Sequence, residues 1–190
     1  MHKKARFSSL PTASGAIARA AYARALEARL EVEPLLKSSH LTPQQIKNSQ
    51  YRIPVKNQIQ FLSVVADELP DPYLGIHIAE GIELREMGLV YYVIASSETL
   101  GDALRRLARY SGITNEGVRI TCHEGKDITI RFDYVGVSRL SDRHQIECFV
   151  AILLRLCRQL TGLSLSPTGV KLAHRCTELP AEIKWLQSII

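Results

Sequence analysis

Apolar residues in the middle of the chain repeat first with the period of a helix and then with the period of a strand. Thr99 is a helix-capping residue and Gly112 a typical helix stop, so one amphipathic helix is predicted between them. Its apolar face carries Leu100, Ala103, Leu104, Leu107 and Ala108. The period then becomes two, which predicts an antiparallel hairpin at about 118–135 with one buried face. That face carries Val118, Ile120, Cys122, Ile128, Ile130, Phe132 and Tyr134.

Further elements are predicted on both sides of this pair. The apolar run at residues 88–95 (GLVYYVIA) is short and rich in Val, Tyr and Ile, which favours a buried strand over the alternative of a helix. Residues 167–174 alternate and predict another strand. Helices are predicted at residues 14–30, from Thr42, at 54–69, at 73–79, at 141–161 and at 180–190.

This order of elements indicates the fold class. Helices, a short strand, a helix, a hairpin, a long helix and a strand predict an α+β fold, in which helices pack on a small antiparallel or mixed sheet. Residues 1–12 are expected to be a flexible arm, and residues 13–190 one domain. The chain ends without a helix-stop signal, so we expect a domain that is truncated at its C-terminus.

The composition is that of an ordinary globular protein. Of the 190 residues, 46% are hydrophobic and 23% are charged, which argues against disorder. No run approaches the length of a membrane helix, and the N-terminus lacks the apolar core of a signal peptide, so no membrane partner is expected. Cys122, Cys148, Cys157 and Cys176 lack C-x-x-C spacing, which favours reduced thiols in a cytoplasmic protein.

The sequence contains no recognisable catalytic or cofactor motif. Phosphate-binding glycine loops and the G-x-S-x-G elbow are absent, so we expect no enzyme, no catalytic residues and no cofactor. His144, Glu147 and Cys148 share one helix and could hold a metal, but their spacing matches no known zinc pattern. Packing in the core is the favoured interpretation of Cys148, and no metal site is predicted.

Two positive charges mark a first candidate for ligand binding. Arg52 and Lys56 flank Pro54, where a helix begins and its exposed N–H groups attract anions. A carboxylate or phosphate could bind at this corner. Exposed charge without any ligand is the alternative.

A second group of candidates follows the apolar run and the amphipathic helix. Arg109 belongs to a basic strip with Arg105 and Arg106, which could contact an anionic ligand, a partner subunit or only water. Aromatic rings with polar tips suit pocket walls, although core packing is the commoner role. The complete predicted ligand-binding set is Arg52, Lys56, Tyr91, Tyr92, Arg109 and Tyr110.

Three stretches resemble one regulatory family. Residues 69–82 (LPDPYLGIHIAEGI) resemble its segment around a Leu-Gly-Leu helix, and residues 166–186 resemble its Pro-x-x-Val-x-x-x-His followed by a helix. The most specific is residues 88–113, which contain a Gly-x-x-x-Tyr-x-x-x-x-Ser pattern, then Thr-Leu-x-x-Ala-Leu, then Arg-Tyr. With Arg52-Ile53-Pro54, the resemblance spans roughly residues 20–190. The chain resembles the N-terminal, arabinose-binding-like domain of AraC-type transcription regulators.

The resemblance implies a sensor of bacterial gene regulation. In such regulators this domain binds a small effector or mediates dimerisation, and a separate C-terminal domain with two helix-turn-helix units binds DNA. We therefore expect a small-molecule effector, a homodimer, and DNA as a partner only through that second domain. The alternatives are a dimerisation domain without a ligand, and direct nucleic-acid binding through the basic N-terminal helices of this chain, whose net charge is +5.

Overall fold

The computed structural model describes residues 10–137 and 142–174. Within them it has eight α-helices, one 3₁₀ helix and two small antiparallel sheets, and this confirms the predicted α+β class. The helices are α1 (Ala16–Glu27), α2 (Val32–Ser38), α3 (Pro43–Lys47), α4 (Val55–Glu68), α5 (Leu74–Gly81), the 3₁₀ helix (Leu84–Met87), α6 (Leu89–Ala95), α7 (Leu100–Thr114) and α8 (Arg143–Thr161). The strands are β1 (Thr12–Ala13), β2 (Ile53–Pro54), β3 (Val118–Glu124) and β4 (Ile128–Tyr134).

The predicted hairpin is confirmed as β3 and β4. Their register pairs Val118 with Tyr134 and Ile120 with Phe132. The apolar face packs on helices, and the ring of Phe132 stacks on that of Phe149 in α8, with centroids 6.2 Å apart. The preceding helix is confirmed as α7, with Thr99 as its cap, because the Thr99 hydroxyl accepts from the Asp102 N–H at 3.1 Å. The predicted stop at Gly112 is wrong, because α7 continues to Thr114.

The strand predicted at residues 88–95 is wrong, because Gly88 caps the preceding 3₁₀ helix and residues 89–95 form α6. Val90 and Ile94 are buried, whereas Leu89 and Tyr92 are exposed, so the run has an amphipathic helical face despite its β-favouring composition. Gly88, at φ +67°, separates the two helices. Tertiary packing therefore overrides the local β propensity here.

The strand predicted at residues 167–174 is also wrong. These residues form no regular element, and no described strand lies beside them to supply a hydrogen-bonding edge. Val170 and Leu172 instead pack against the helical core. The sheets are purely antiparallel within the described residues, so the mixed option does not apply, and the helix predicted at residues 180–190 lies outside them.

The hydrophobic interior has two main parts, and α8 contacts both. The first lies between α1, α4, α5 and the N-terminal half of α8, and includes Phe61, Leu74 and Cys148. The second lies between α6, α7, β3 and the C-terminal half of α8, and includes Leu104 and Leu156. No helix within the described ranges is long and apolar enough to cross a membrane.

N-terminal residues join this body through β1. Thr12 and Ala13 pair with Pro54 and Ile53 of β2, and the Ser14 N–H donates to the Thr114 carbonyl at 2.8 Å. The last residues of the expected arm, 10–12, are thus part of the described body, and residues 1–9 lie outside it.

The crossing of α5 and α8 depends on a residue without a side chain. A Cβ at the buried Gly75 would lie 2.9 Å from the Cα of His144 and closer still to its carbonyl oxygen. Since both neighbours are backbone atoms, neither can move without displacing a helix. Gly75 therefore permits the approach of the two helices that form the first core.

We expect Gly75→Ala to lower the free energy of unfolding by about 1–3 kcal/mol, because overpacking forces α5 away from α8. The matched control is Gly81→Ala, at the other end of the same helix, where an added Cβ meets no atom of the described residues within 4 Å. That control should be neutral or stabilise by up to about 1 kcal/mol. Urea unfolding followed by circular dichroism measures both, and equal effects would contradict the account.

Candidate functional site

A cavity of about 90 Å³ lies between the two cores. Its walls are residues 13–17, the second half of α7, the facing side of the hairpin and the middle of α8. Of the 19 described residues that line it, 13 are apolar. A single water needs only about 10–15 Å³ by such a measure, so the cavity has room for a small organic molecule.

One polar contributor to the wall is Gln58, whose side chain is 1% exposed. Its Nε2 donates to the Gln145 Oε1 at 2.7 Å, and the Gln145 Nε2 donates to the Tyr134 hydroxyl at 2.9 Å. The Gln58 Oε1 is buried and has no hydrogen-bond partner among the described residues. The hydrogen bond to Gln145 uses the Gln58 Nε2 and thus leaves the Gln58 Oε1 as an unpaired acceptor.

The second polar contributor is Asn115, which follows α7 directly and is 5% exposed. Its Oδ1 accepts from the Gly117 N–H at 2.9 Å, so the other amide atom, Nδ2, is a donor. Nδ2 is buried and finds no acceptor in the described part of the chain. An unpaired buried polar group costs about 1–3 kcal/mol, which makes such groups unusual and a common sign of a missing ligand or water.

The cavity reaches the surface beside the exposed Glu86 of the 3₁₀ helix. Arg19 lies close by, and its Nη2 donates to the Ser14 carbonyl at 2.8 Å. Burial lowers the pKa of the Arg19 guanidinium, and the charge of Glu86 acts in the opposite direction. Arg19 therefore helps to hold residues 13–17 in place. Among the described residues that line the cavity, Glu86 is the charged one.

The cavity can bind but shows no means of catalysis in the described residues. Of its three hydroxyls, that of Ser111 donates to the Ala108 carbonyl at 3.3 Å and that of Thr114 to the Ser111 carbonyl at 2.9 Å, which leaves that of Ser14. No cysteine or histidine lies among the described residues that line it. Across the described ranges, no group of three or more His, Cys, Asp or Glu side chains is placed to hold a metal.

Of the three residues considered for a metal, Cys148 packs in the core and Glu147 has polar partners. Cys148 is fully buried in the first core, and this burial raises the pKa of its thiol. The Glu147 Oε1 accepts from the Arg143 Nε at 2.9 Å and lies 2.8 Å from the His174 Nε2. Burial lowers the pKa of His144. Cys122, Cys148 and Cys157 are free thiols.

Arg52 connects the N-terminal segment to the end of α7. Its Nε and Nη2 donate to the hydroxyl and carbonyl of Thr12 at 2.7 and 3.0 Å, and its Nη1 donates to the Ile113 carbonyl at 2.9 Å. Glu116 lies 3.7 Å from Nη2. An anionic ligand here would have to compete with these contacts. Lys56 is exposed beside a separate open groove that includes Leu10.

Two of the predicted aromatic residues, Tyr91 and Tyr110, pack in the second core. Tyr91 is buried, and its hydroxyl accepts from the Gln159 Nε2 at 2.8 Å. Tyr92 is exposed, and its ring meets that of Tyr91 edge to face at 5.4 Å. Arg109 lies over the ring of Tyr110, 5.5 Å from its centre.

None of the six predicted ligand-binding residues is among the described residues that line the cavity. Their role in binding therefore stays a prediction. The rest of the basic strip has intramolecular partners. Arg105 pairs with Asp102 and Glu124, and Arg106 donates to the Val93 carbonyl at 2.9 Å, near the end of α6.

Sequence reasoning missed both cavity amides. Gln58 lies on the apolar face of α4, next to Ile59 and one turn before Leu62. A polar residue on an apolar helix face is the sequence feature that could have identified it as a candidate. Asn115 looks like an ordinary turn residue between a helix and a glycine. Its unpaired donor becomes visible only in three dimensions.

We expect Arg52→Met to release β1, because the guanidinium donates two hydrogen bonds to Thr12 of β1 and a third to Ile113 of α7. Hydrogen exchange at the Thr12 amide, which donates to the Glu116 carboxylate at 2.8 Å, should accelerate by about fivefold or more. Lys56→Met, on the same surface, is the matched control and should leave this exchange unchanged. An equal rate in both variants would show that Arg52 does not hold the strand.

Comparison with known proteins agrees with the resemblance found in the sequence. No curated protein matches the chain. A family model described as the arabinose-binding domain of AraC transcription regulator, N-terminal, matches residues 30–184. The match spans α2 to α8 and includes both amides of the cavity wall. It covers most of the chain, which therefore belongs to the family of N-terminal arabinose-binding domains of AraC-type transcription regulators.

Proposed function

We propose that this chain is an effector-sensing regulatory domain and that its effector binds in the cavity between the two cores. The single observation that carries this proposal is the pair of unpaired buried amide atoms, on Gln58 and Asn115, in a wall that is otherwise mainly apolar. Small-molecule sites typically combine an apolar wall with a few converging polar groups. The family assignment supports a regulatory role over catalysis, so we propose that the chain is not an enzyme.

The position of the cavity suggests how binding is transmitted. Its walls come from α1, α7, the hairpin and α8, so a bound molecule contacts elements of both cores at once. A ligand that fits one arrangement of these elements better shifts the population toward it. A coupling of about 1–3 kcal/mol changes a linked equilibrium by about 5–150-fold. We propose that this equilibrium is DNA binding by a helix-turn-helix domain of the same regulator, in the cytoplasm of a bacterium.

A thermal-shift screen against metabolites tests the cavity as the receptor site. At a concentration of about 100 times its Kd, a ligand adds about 2.7 kcal/mol of stability, which raises Tm by about 5–10 °C for a chain of this size. Ser111→Leu puts a larger side chain at the buried wall of the cavity and should abolish the shift. Ala95→Leu, at an exposed position of α6, is the matched control and should retain it.

Ser111→Leu must remain folded for this comparison, which the circular dichroism spectrum and its own Tm establish. A hit that stabilises Ser111→Leu as strongly as the unaltered chain binds elsewhere, and the cavity is then not the receptor site. A broad library without any hit contradicts effector sensing by this domain.

A second candidate function, dimerisation, is favoured by one surface observation. Leu89 and Tyr92 are 73% and 59% exposed, and they lie one turn apart on the same face of α6. Exposed large apolar side chains that adjoin one another suit a contact with a second copy of the chain.

If α6 forms a homodimer interface, the unaltered chain should elute as a dimer at micromolar concentration, and Leu89→Glu should elute as a monomer. A charge at the centre of an apolar interface is strongly unfavourable because it is desolvated without a partner. Leu26→Glu on α1, where Leu26 is 49% exposed, is the matched control and should remain dimeric. Light scattering after size exclusion measures the mass, and a monomeric unaltered chain would contradict dimerisation.

A further inference from the structure

The chemistry of the cavity wall restricts what can bind there. We infer that the effector is a compact, uncharged and mainly apolar molecule that carries one hydrogen-bond acceptor and one donor, as an amide does. This inference rests on the proposed function and adds to it the chemical class of the ligand.

An apolar body follows from the wall. The aromatic rings of Phe132 and Phe149, nearly parallel at 6°, both line the cavity, and Ile152 and Leu156 extend the same surface along α8. A ligand that covers these side chains gains about 25 cal/mol for each Å² of apolar surface removed from water. A volume of about 90 Å³ favours a molecule near the size of a single ring, with part of it directed to the opening beside Glu86.

The polar part follows from the two unpaired amide atoms. The Asn115 Nδ2 can only donate, so the ligand must present an acceptor to it. The Gln58 Oε1 can only accept, so the ligand must present a donor to it. Both residues are held by a second hydrogen bond, Asn115 by the Gly117 N–H and Gln58 by Gln145, so the pair is preorganised. An amide group supplies the matching acceptor and donor.

The same wall disfavours an anion. No Lys or Arg side chain is among the described residues that line the cavity, and the charged one that does, Glu86, would repel a carboxylate. Arg19 lies close by but outside the wall, and its charge is already opposed by that of Glu86, so within the wall a buried anion finds no cation to offset its desolvation cost.

A free sugar is disfavoured for a different reason. A pentose carries a hydroxyl on nearly every carbon, and each hydroxyl that is buried without a partner costs about 1–3 kcal/mol. The hydroxyls of Ser111 and Thr114 already donate to backbone carbonyls, so the wall offers few donors beyond the Asn115 amide and the Ser14 hydroxyl. The name of the family therefore does not predict the ligand of this chain.

Three probes test this class on the unaltered 190-residue chain: benzamide, benzoate and L-arabinose. Each is titrated into ¹⁵N-labelled protein, and the amide shifts of Val118, Asn115 and Leu156 report on the cavity. We expect saturable shifts with benzamide and an affinity at least about tenfold weaker for the other two, since a lost hydrogen bond or a buried charge costs about 1.4 kcal/mol or more.

Asn115→Asp tests the hydrogen bond itself. The carboxylate still accepts from the Gly117 N–H but replaces the Nδ2 donor with an acceptor, so the affinity for benzamide should fall by about fivefold or more. Asn48→Asp is the matched control, since the Asn48 Oδ1 also accepts from the N–H two residues later, at 2.9 Å, but is exposed. That control should bind benzamide unchanged. The comparison of probes does not depend on Asn115→Asp being folded.

The outcomes separate the ligand class from the proposed function. If benzoate or arabinose binds the cavity as tightly as benzamide and Ser111→Leu abolishes that binding, the class is wrong and effector sensing stands. If benzamide causes no shift at the cavity, the class is also wrong, and the metabolite screen decides the function independently. If benzamide binds equally well to a folded Asn115→Asp, the donor is not used and the inference is overturned.

Discussion

The packing of α8 against both hydrophobic cores is the constraint on which the rest of this structure depends. Its N-terminal half meets α5 across Gly75, and its C-terminal half packs with α6, α7 and the hairpin. One 19-residue helix thereby fixes the separation of two groups of elements that have few other contacts. The cavity lies where the two cores meet, so it is a product of this arrangement and not of any local motif.

The elements with a sustained period could be predicted from the sequence, and the short ones could not. α7, α8 and the hairpin each repeat their apolar residues over several turns or strand pairs. A period sustained over that length identifies the element even where single residues have a different propensity. The seven residues of α6 include Val, Tyr and Ile, and their β propensity led to the wrong prediction of a strand. The segment is a helix because Val90 and Ile94 are buried by packing against α7 and α8. Residues 167–174 alternate as a strand would, but a strand also needs an edge to pair with, and its presence is not a local property.

The candidate site was less predictable than the fold for a related reason. Arg52, Lys56 and Arg109 stand out in a sequence because they are charged, and Tyr91, Tyr92 and Tyr110 because they are aromatic. The structure gives Arg52 and Tyr91 intramolecular partners, whereas the unpaired groups belong to two amides that attract little attention in a sequence. Whether an amide is paired depends on residues up to 87 positions away, as for Gln58 and Gln145. Hydrogen bonds between residues far apart in the chain cannot be read from a single sequence.

The N-terminal wall of the cavity differs in construction from the others. Residues 13–15 are held by a two-residue strand, by the bond from Ser14 to Thr114 and by the contacts of Arg52, whereas most of the remaining wall belongs to the helices α1, α7 and α8 or to a hairpin of two seven-residue strands. Displacing this short segment breaks a few hydrogen bonds and uncovers the buried Ala13, a smaller apolar area than the separation of two packed helices exposes. The N-terminal strand is therefore the wall that moves at the lowest cost in free energy, and the guanidinium of Arg52 is the side chain that opposes this movement.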